Sequence, residues 1–281
     1  MRFYALMCII CLFSVKIIST FARMQYIDTH THLFHKQFDE DRAEMMERAR
    51  VAGVERVLLP NIDVDTIDRM MKMVEDYPGR AFPMMGIHPT HVGEDRRAQL
   101  DTVRSWFEKS ADRFVAVGEI GIDLYWEKDK LDWQVEAFEE QIDIALEFDK
   151  PIVIHARDSF DEIFESLERK QNGNLKGVLH CFTGNIEQAN RCLDLGMHLG
   201  IGGVATFKNG GLDKVLPHVS KDVIILETDS PYLAPVPYRG KRNESSYVPI
   251  VAQRVAELMG MTVKEVAEQT TLNAEKLFRL P

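Results

Sequence analysis

Four histidines and two acids stand where they could share a cation. In Asp28-Thr29-His30-Thr31-His32 the side chains of an extended segment alternate, so His30 and His32 project to one side. Glu119, His155 and His180 each follow directly on a short apolar run, and Asp229 comes shortly after another. Neutral imidazole and carboxylate oxygen suit borderline or hard divalent ions, and no thiolate stands among the six. Six donors are generous for one ion and fit two ions bridged by a carboxylate. Such pairs act on phosphoryl or carbonyl centres, lowering the pKa of a bound water towards ~7 and stabilising charge on the attacked group. Asp229 could touch a metal and also accept the proton of that water. A lone histidine at a strand end is usually a hydrogen-bonded structural residue, and His35, His91, His198 and His218 are read in that way. The six together are not, because crowded buried imidazoles and carboxylates need a cation to compensate their charge.

The elements that must position these residues follow from periodicity. Apolar runs at Gln25–Asp28, Glu55–Leu59, Ala81–Ile87, Phe114–Gly118, Ile152–Ile154, Gly177–Leu179, Met197–Gly200 and Val223–Leu226 read as strands. Amphipathic stretches at Glu40–Val51, Thr66–Glu75, Leu100–Lys109, Leu131–Phe148, Ser159–Arg169, Ile186–Leu195 and Leu212–Val219 alternate with them. Tyr247–Met259, Val263–Gln269 and Asn273–Leu280 follow as helices. Strict alternation predicts an α/β fold with a parallel sheet, and eight units predict a closed (β/α)8 TIM barrel with outer helices. No glycine-rich dinucleotide fingerprint follows the first strand, which argues against an open doubly wound sheet. All six candidates then fall at C-terminal strand ends, the face where barrel enzymes build their sites.

The chain has 281 residues, of which 45% are hydrophobic and 28% charged, values that suit one folded barrel domain over residues 24–281. A net charge of −10 excludes a global basic field, so a polyanionic substrate must be held by local residues and metal ions. Cys181 and Cys192 read as buried free thiols, and the four cysteines do not form a disulfide framework. Residues 1–23 stand apart from the barrel. Arg2, the apolar run Phe3–Phe13 and Thr20-Phe21-Ala22 meet the minimum pattern of a secretory signal. The rival reading is translation from Met24, which leads straight into the first strand. A start at Met24 implies a cytoplasmic protein, and a signal over residues 1–22 implies export. Lys16 interrupts the apolar run, and stable membrane association of the barrel is not expected.

Several segments carry a family resemblance. Ile27-Asp28-Thr29-His30-Thr31-His32-Leu33, Gly86-Ile87-His88-Pro89 and Gly118-Glu119-Ile120-Gly121-Ile122-Asp123 are three of them. His155-Ala156-Arg157-Asp158, His180-Cys181-Phe182-Thr183-Gly184 and Glu227-Thr228-Asp229-Ser230-Pro231-Tyr232-Leu233 are three more. With Arg239-Gly240-Lys241-Arg242-Asn243-Glu244 and the ending Asn273-Ala274-Glu275-Lys276-Leu277-Phe278, the chain from Tyr26 onward resembles the TatD family of metal-dependent nucleases, in the amidohydrolase superfamily. Residues 1–23 depart from it, since such proteins usually begin almost at the first strand.

The resemblance implies one metal on His30, His32, Glu119 and Asp229 and a second on Glu119, His155 and His180, with Glu119 bridging. It implies Mg2+-dependent DNase activity, often 3′→5′ exonucleolytic on single-stranded ends, with Mn2+ and Zn2+ as alternative ions. Glu119 and Asp229 are the catalytic candidates. Arg157 and Ser230 become candidate phosphate contacts, His88 a candidate substrate ligand, and Phe182 and Tyr232 candidates either for base stacking at the rim or for packing on the barrel top. The alternative for Arg157 is a salt bridge to a neighbouring acid. Arg239, in the basic segment Tyr238–Arg242, favours a polyanionic substrate unless that segment is only a solvated loop.

Two other functions use the same barrel. One is hydrolysis of a carbonyl substrate, whether amide, lactone or aminoacyl-tRNA ester, since some relatives deacylate mischarged tRNA. The other is a catalytically dead binding barrel. Carbonyl hydrolases of the superfamily often place a carboxylated lysine between their metals, where this chain has Glu119, and the complete ligand set argues against a dead site.

Overall fold

The computed structural model describes residues 24–281; the reading of residues 1–23 as a signal or a start extension lies outside the described residues. Eight strands form one sheet: β1 (Tyr26–Asp28), β2 (Val54–Pro60), β3 (Ala81–Met85), β4 (Ala116–Asp123), β5 (Ile152–Arg157), β6 (Gly177–Leu179), β7 (Met197–Ile201) and β8 (Ile224–Leu226). Every neighbouring pair is parallel and the spatial order is the sequence order. The first and last strands meet. Thr29 N donates to Leu226 O at 3.0 Å, Asp229 N to His30 O at 2.9 Å and His32 N to Ser230 O at 2.8 Å, around a parallel bridge between Thr31 and Ser230. The result is a (β/α)8 barrel, as the alternation predicts.

Around it lie α1 (Arg42–Val51), α2 (Ile67–Asp76), α3 (Arg96–Ser110), α4 (Leu131–Glu147), α5 (Phe160–Lys170), α6 (Ile186–Asp194), α7 (Val248–Met259) and α8 (Val263–Phe278). The structure corrects the sequence reading in three places. The expected helix Leu212–Val219 is two 3-10 turns, Leu212–Lys214 and Leu216–His218, with Pro217 removing an N–H an α-helix would use. The expected pair Val263–Gln269 and Asn273–Leu280 is the single helix α8. Thr270 is carried through it by donating its hydroxyl to Val266 O at 2.8 Å, one turn back. Third, β4 and β5 run further than their apolar cores. Glu119 and His155 therefore lie within strands rather than after them.

Two apolar clusters hold the layers together. The larger fills the space between strands and helices. The smaller fills the lower barrel with Ile27, Leu58, Met84, Ala116, Val153, Val178 and Ile225, capped by Ala274, Leu277 and Phe278 of α8. α8 is seated under the N-terminal strand ends by Asn273, whose amide donates to Lys221 O and Ile224 O, both at 2.8 Å. Its start is fixed by a capping box of Thr262 and Glu265. Phe278→Leu should leave a void under the barrel and cost about 1–2 kcal/mol. Urea denaturation should show a lower midpoint at unchanged slope; an unchanged midpoint would show that the plug is dispensable. No helix among the described residues is long and apolar enough to cross a membrane.

Candidate metal centre

At the opposite end the strands deliver their polar residues to one point. Glu119 is buried at its middle, and its two oxygens face different histidines. Oε2 lies 3.2 Å from His30 Nε2 and 3.5 Å from His32 Nε2. Oε1 lies 2.7 Å from His180 Nε2, 3.1 Å from His155 Nδ1 and 3.4 Å from His88 Nε2. Asp229 Oδ1 closes the first side, 3.8 Å from His30 Nε2 and 3.6 Å from His32 Nε2. Three overlapping donor groups result: His30, His180 and Asp229; His30, His32 and Glu119; His88, Glu119 and His155. The structure thus brings together all six residues that the sequence singles out, and adds His88.

The far side of each ring decides which nitrogen can face a cation. His32 Nδ1 lies 3.2 Å from Pro60 O, an acceptor only, so Nδ1 carries the proton and Nε2 presents its lone pair inward. His155 is turned the other way. Its Nε2 donates to Asp123 Oδ2 at 2.9 Å and leaves Nδ1 inward. Carboxylate and carbonyl partners of this kind are what orient metal-ligating imidazoles. His180 Nδ1 faces Glu227 Oε1 at 3.6 Å, too far for a hydrogen bond but close enough for charge attraction. His88 is different. Its Nδ1 accepts from Thr90 N at 3.2 Å, which puts the proton on Nε2 and makes it an inward donor. Both nitrogens of His30, Nδ1 of His180 and Oε2 of Glu227 are buried without a well-formed hydrogen bond. Buried polar atoms are rarely left so, and inward lone pairs beside a buried carboxylate are the donor set a divalent cation takes. The residues fit the metal.

Electrostatics say the same. Burial alone would raise the Glu119 carboxyl, but His180, His88 and His30 and the hydrogen bond from His155 pull it well below its ordinary value. Burial would lower His180, yet Glu119 outweighs it and holds the imidazole well above the usual range. His155 is likewise raised, burial being overcome by Asp123 and then Glu119. His30 goes the other way, lowered by burial and by positive His180, and burial takes His88 down to about 4. Positive charge is thus favoured on the His155 and His180 side of the Glu119 carboxylate and disfavoured at His30 and His88.

Local backbone explains the placement. Asp229 has φ +58° and Cys181 φ +46°, left-handed conformations that turn the chain as it leaves β8 and β6. A Cβ at Gly200 would collide with the Glu227 carboxylate, and one at Gly121 with the His155 carbonyl. Those two glycines let the polar residues approach.

The substrate candidates divide. Arg157 is exposed on the last residue of β5, and its guanidinium lies 4.4 Å over the Tyr125 ring, with no ion-pair partner among the described residues. The salt-bridge alternative therefore does not hold. Ser230 is not brought to the rim. It is fully buried, its hydroxyl 2.6 Å from Thr228 Oγ1, in a network that ties Thr228 and Ser245 to Asp28. Phe182 is also buried, edge-on to Phe160, and cannot stack on a base. Tyr232 is exposed and its ring lies 6.5 Å from that of His32. Arg239 lies over Phe207, whereas Arg242 pairs with Asp41, so only part of the basic segment is free. Cys192 is a buried free thiol pushed up to about 12 by burial; Cys181 is partly exposed at the rim.

Asp123 and Glu227, the partners of His155 and His180, were given no role by the sequence reading. The signal for both is the alternation that paired His30 with His32. Asp123 lies an even number of residues beyond Glu119 on one strand, and Glu227 lies two before Asp229.

The geometry has counterparts. A Bacillus subtilis (strain 168) protein named "Uncharacterized metal-dependent hydrolase YabD" is 41% identical over 90% of this chain and 98% of its own length. A Pectobacterium carotovorum protein named "3'-5' ssDNA/RNA exonuclease TatD" is 32% identical over 90% of this chain and 99% of its own. The crystal structure of the TatD homologue YJJV from Escherichia coli superposes with a TM-score of 0.87 at 28% identity, over 92% of this chain and 99% of the other. With the family model described as "TatD related DNase" matching residues 27–279, this chain belongs to the TatD family of metal-dependent hydrolases.

Proposed function

We propose that the protein is a Mg2+-dependent phosphodiesterase that trims single-stranded DNA from its 3′ end. The observation that carries the choice of phosphodiester over carbonyl substrate is Arg157. It is an exposed guanidinium without an acid partner among the described residues, two residues along β5 from His155, where a phosphate beside the centre would meet it. The relative named as an ssDNA/RNA exonuclease supports the same reading.

In this proposal His30, His32, Glu119 and Asp229 would hold one divalent ion and Glu119, His155 and His180 would hold the other. When bound, the ions supply Lewis acidity, acidifying water and neutralising charge on the phosphoryl oxygens. Asp229 takes the proton of the attacking water on the carboxylate oxygen turned away from the histidines; as the water oxygen bonds to phosphorus, the bond from phosphorus to the 3′ oxygen of the preceding nucleotide breaks, and that oxygen leaves with the shortened strand and is protonated from solvent. His88 donates its Nε2 proton in a hydrogen bond to a phosphoryl oxygen, a role its Thr90 contact prepares. Arg157 orients the phosphate. Asp123 holds the His155 ring so that Nδ1 stays inward.

The test is end-labelled single-stranded DNA, duplex DNA and RNA oligonucleotides with Mg2+, Mn2+, Zn2+ or chelator. Stepwise loss of nucleotides from the 3′ end with Mg2+ is expected, and none after exhaustive chelation. Full turnover with metal absent by elemental analysis would overturn the metal role. Hydrolysis of aminoacyl esters in place of oligonucleotides would overturn the substrate.

A further inference from the structure

Large apolar side chains left in water are unevenly placed on this barrel. Among the described residues, Tyr125, Trp126, Tyr232, Leu233 and Val236 stand in the loops that follow β4 and β8, and only Met24, Val51 and Leu272 lie elsewhere. Those strands lie opposite one another in a ring of eight, so the exposed residues flank the centre from two sides. Trp126 is 66% exposed and Tyr125 47%, far more than large rings usually are without a partner.

The β4 pair is held firmly in spite of its exposure. Asp123 Oδ1 accepts from Tyr125 N at 3.0 Å and from Trp126 N at 2.7 Å. The other oxygen of the same carboxylate receives His155 Nε2. One side chain thus fixes both the tip and an imidazole of the centre. The two rings meet edge to face, with centroids 4.7 Å apart at 87°. Arg157 covers the Tyr125 ring, leaving the indole as the open surface.

We propose that Trp126, braced by Tyr125 and Arg157, is a stacking platform for an unpaired nucleobase of the strand whose phosphate reaches the centre. This rests on the nucleic-acid reading given above. A rigid indole beside a guanidinium offers a π-face to a base and a charge to the adjoining phosphate. Stacking accepts any base but only an unpaired one, since a duplex keeps its bases within its own stack. The chain's net charge of −10 gives a polyanion no general attraction, so a local contact of this kind has to supply affinity.

Two oligonucleotides decide it: a labelled single strand with a hydrolysis-resistant phosphorothioate 3′ end, and the same strand with abasic residues at that end. Fluorescence anisotropy with the full chain and Mg2+ should show wild type binding the normal strand about tenfold more tightly than the abasic one. Trp126→Ala should abolish that difference, and Trp126→Phe should keep most of it. With cleavable strands the loss in Trp126→Ala should fall on KM rather than kcat. Equal weakening on both strands, or no weakening, overturns the platform. If wild type cleaves DNA and Trp126→Ala matches it, only the platform fails. If wild type neither binds nor cleaves nucleic acid, the substrate reading fails and the platform with it.

Discussion

Asp229→Asn is expected to lower kcat by ~10²-fold or more while metal and substrate affinity stay near those of wild type. Asparagine keeps one oxygen for a cation and loses the basicity of the other. It also tolerates the left-handed backbone at this position, φ +58°, as aspartate does, so the substitution tests the carboxylate and not the turn. The carboxylate is ready for the role. Burial would raise its pKa, but the neighbouring imidazoles of His32, His180 and His30 hold it below its ordinary value, so it is ionised at neutral pH. Steady-state kinetics on a single-stranded oligonucleotide, with metal content measured in parallel, are the check. A change confined to KM would assign Asp229 to substrate binding, and a near-normal kcat would take the proton from it altogether.

Glu119→Ala is expected to remove turnover and weaken both metal sites at once. The reason is the division of its oxygens: Oε2 towards His30 and His32, Oε1 towards His180 and His155. His180→Ala serves as the contrast, since it touches only the Oε1 side of Glu119 and should spare the site built on His30 and His32. Calorimetric titration with Mn2+ should resolve two binding events in wild type, one in His180→Ala and neither at comparable affinity in Glu119→Ala. Retention of one full-affinity site in Glu119→Ala would contradict a bridging role. Circular dichroism guards against misfolding, because this variant removes the carboxylate at the middle of several buried imidazoles.

The donors were legible in the sequence because they sit where apolar runs end, and a barrel converts that position into convergence. His30, His32, Glu119, His155, His180 and Asp229 needed only periodicity and topology to be grouped. What periodicity hides is direction. Ser230 neighbours Asp229, yet its hydroxyl is turned down into the Asp28 network, and nothing in the local pattern separates the two. Phe182 stays open between stacking and packing for the same reason: an aromatic after a strand can face the rim or the helix layer, and here it packs against Phe160. The orienting acids were missed because Asp123 and Glu227 read as ordinary polar strand ends until the rings they hold are placed. Helix continuity failed at two points for opposite reasons. Pro217 breaks a helix that amphipathic spacing suggested, and α8 runs with Thr270, Asn273 and Ala274 buried through a stretch that spacing had divided.

The seam between β1 and β8 also fixes when the centre can exist. Thr228 and Asp28, joined by two hydrogen bonds at 2.9 and 2.6 Å, stand 200 positions apart in the chain. As the polypeptide leaves the ribosome, His30 and His32 emerge well ahead of Asp229 and must wait for it, while α8, which plugs the floor, follows the whole sheet. A nascent chain therefore carries these imidazoles uncommitted until the end of β8 has been made. Catalytic competence arrives as a single late event, when the two ends of the barrel close on one another.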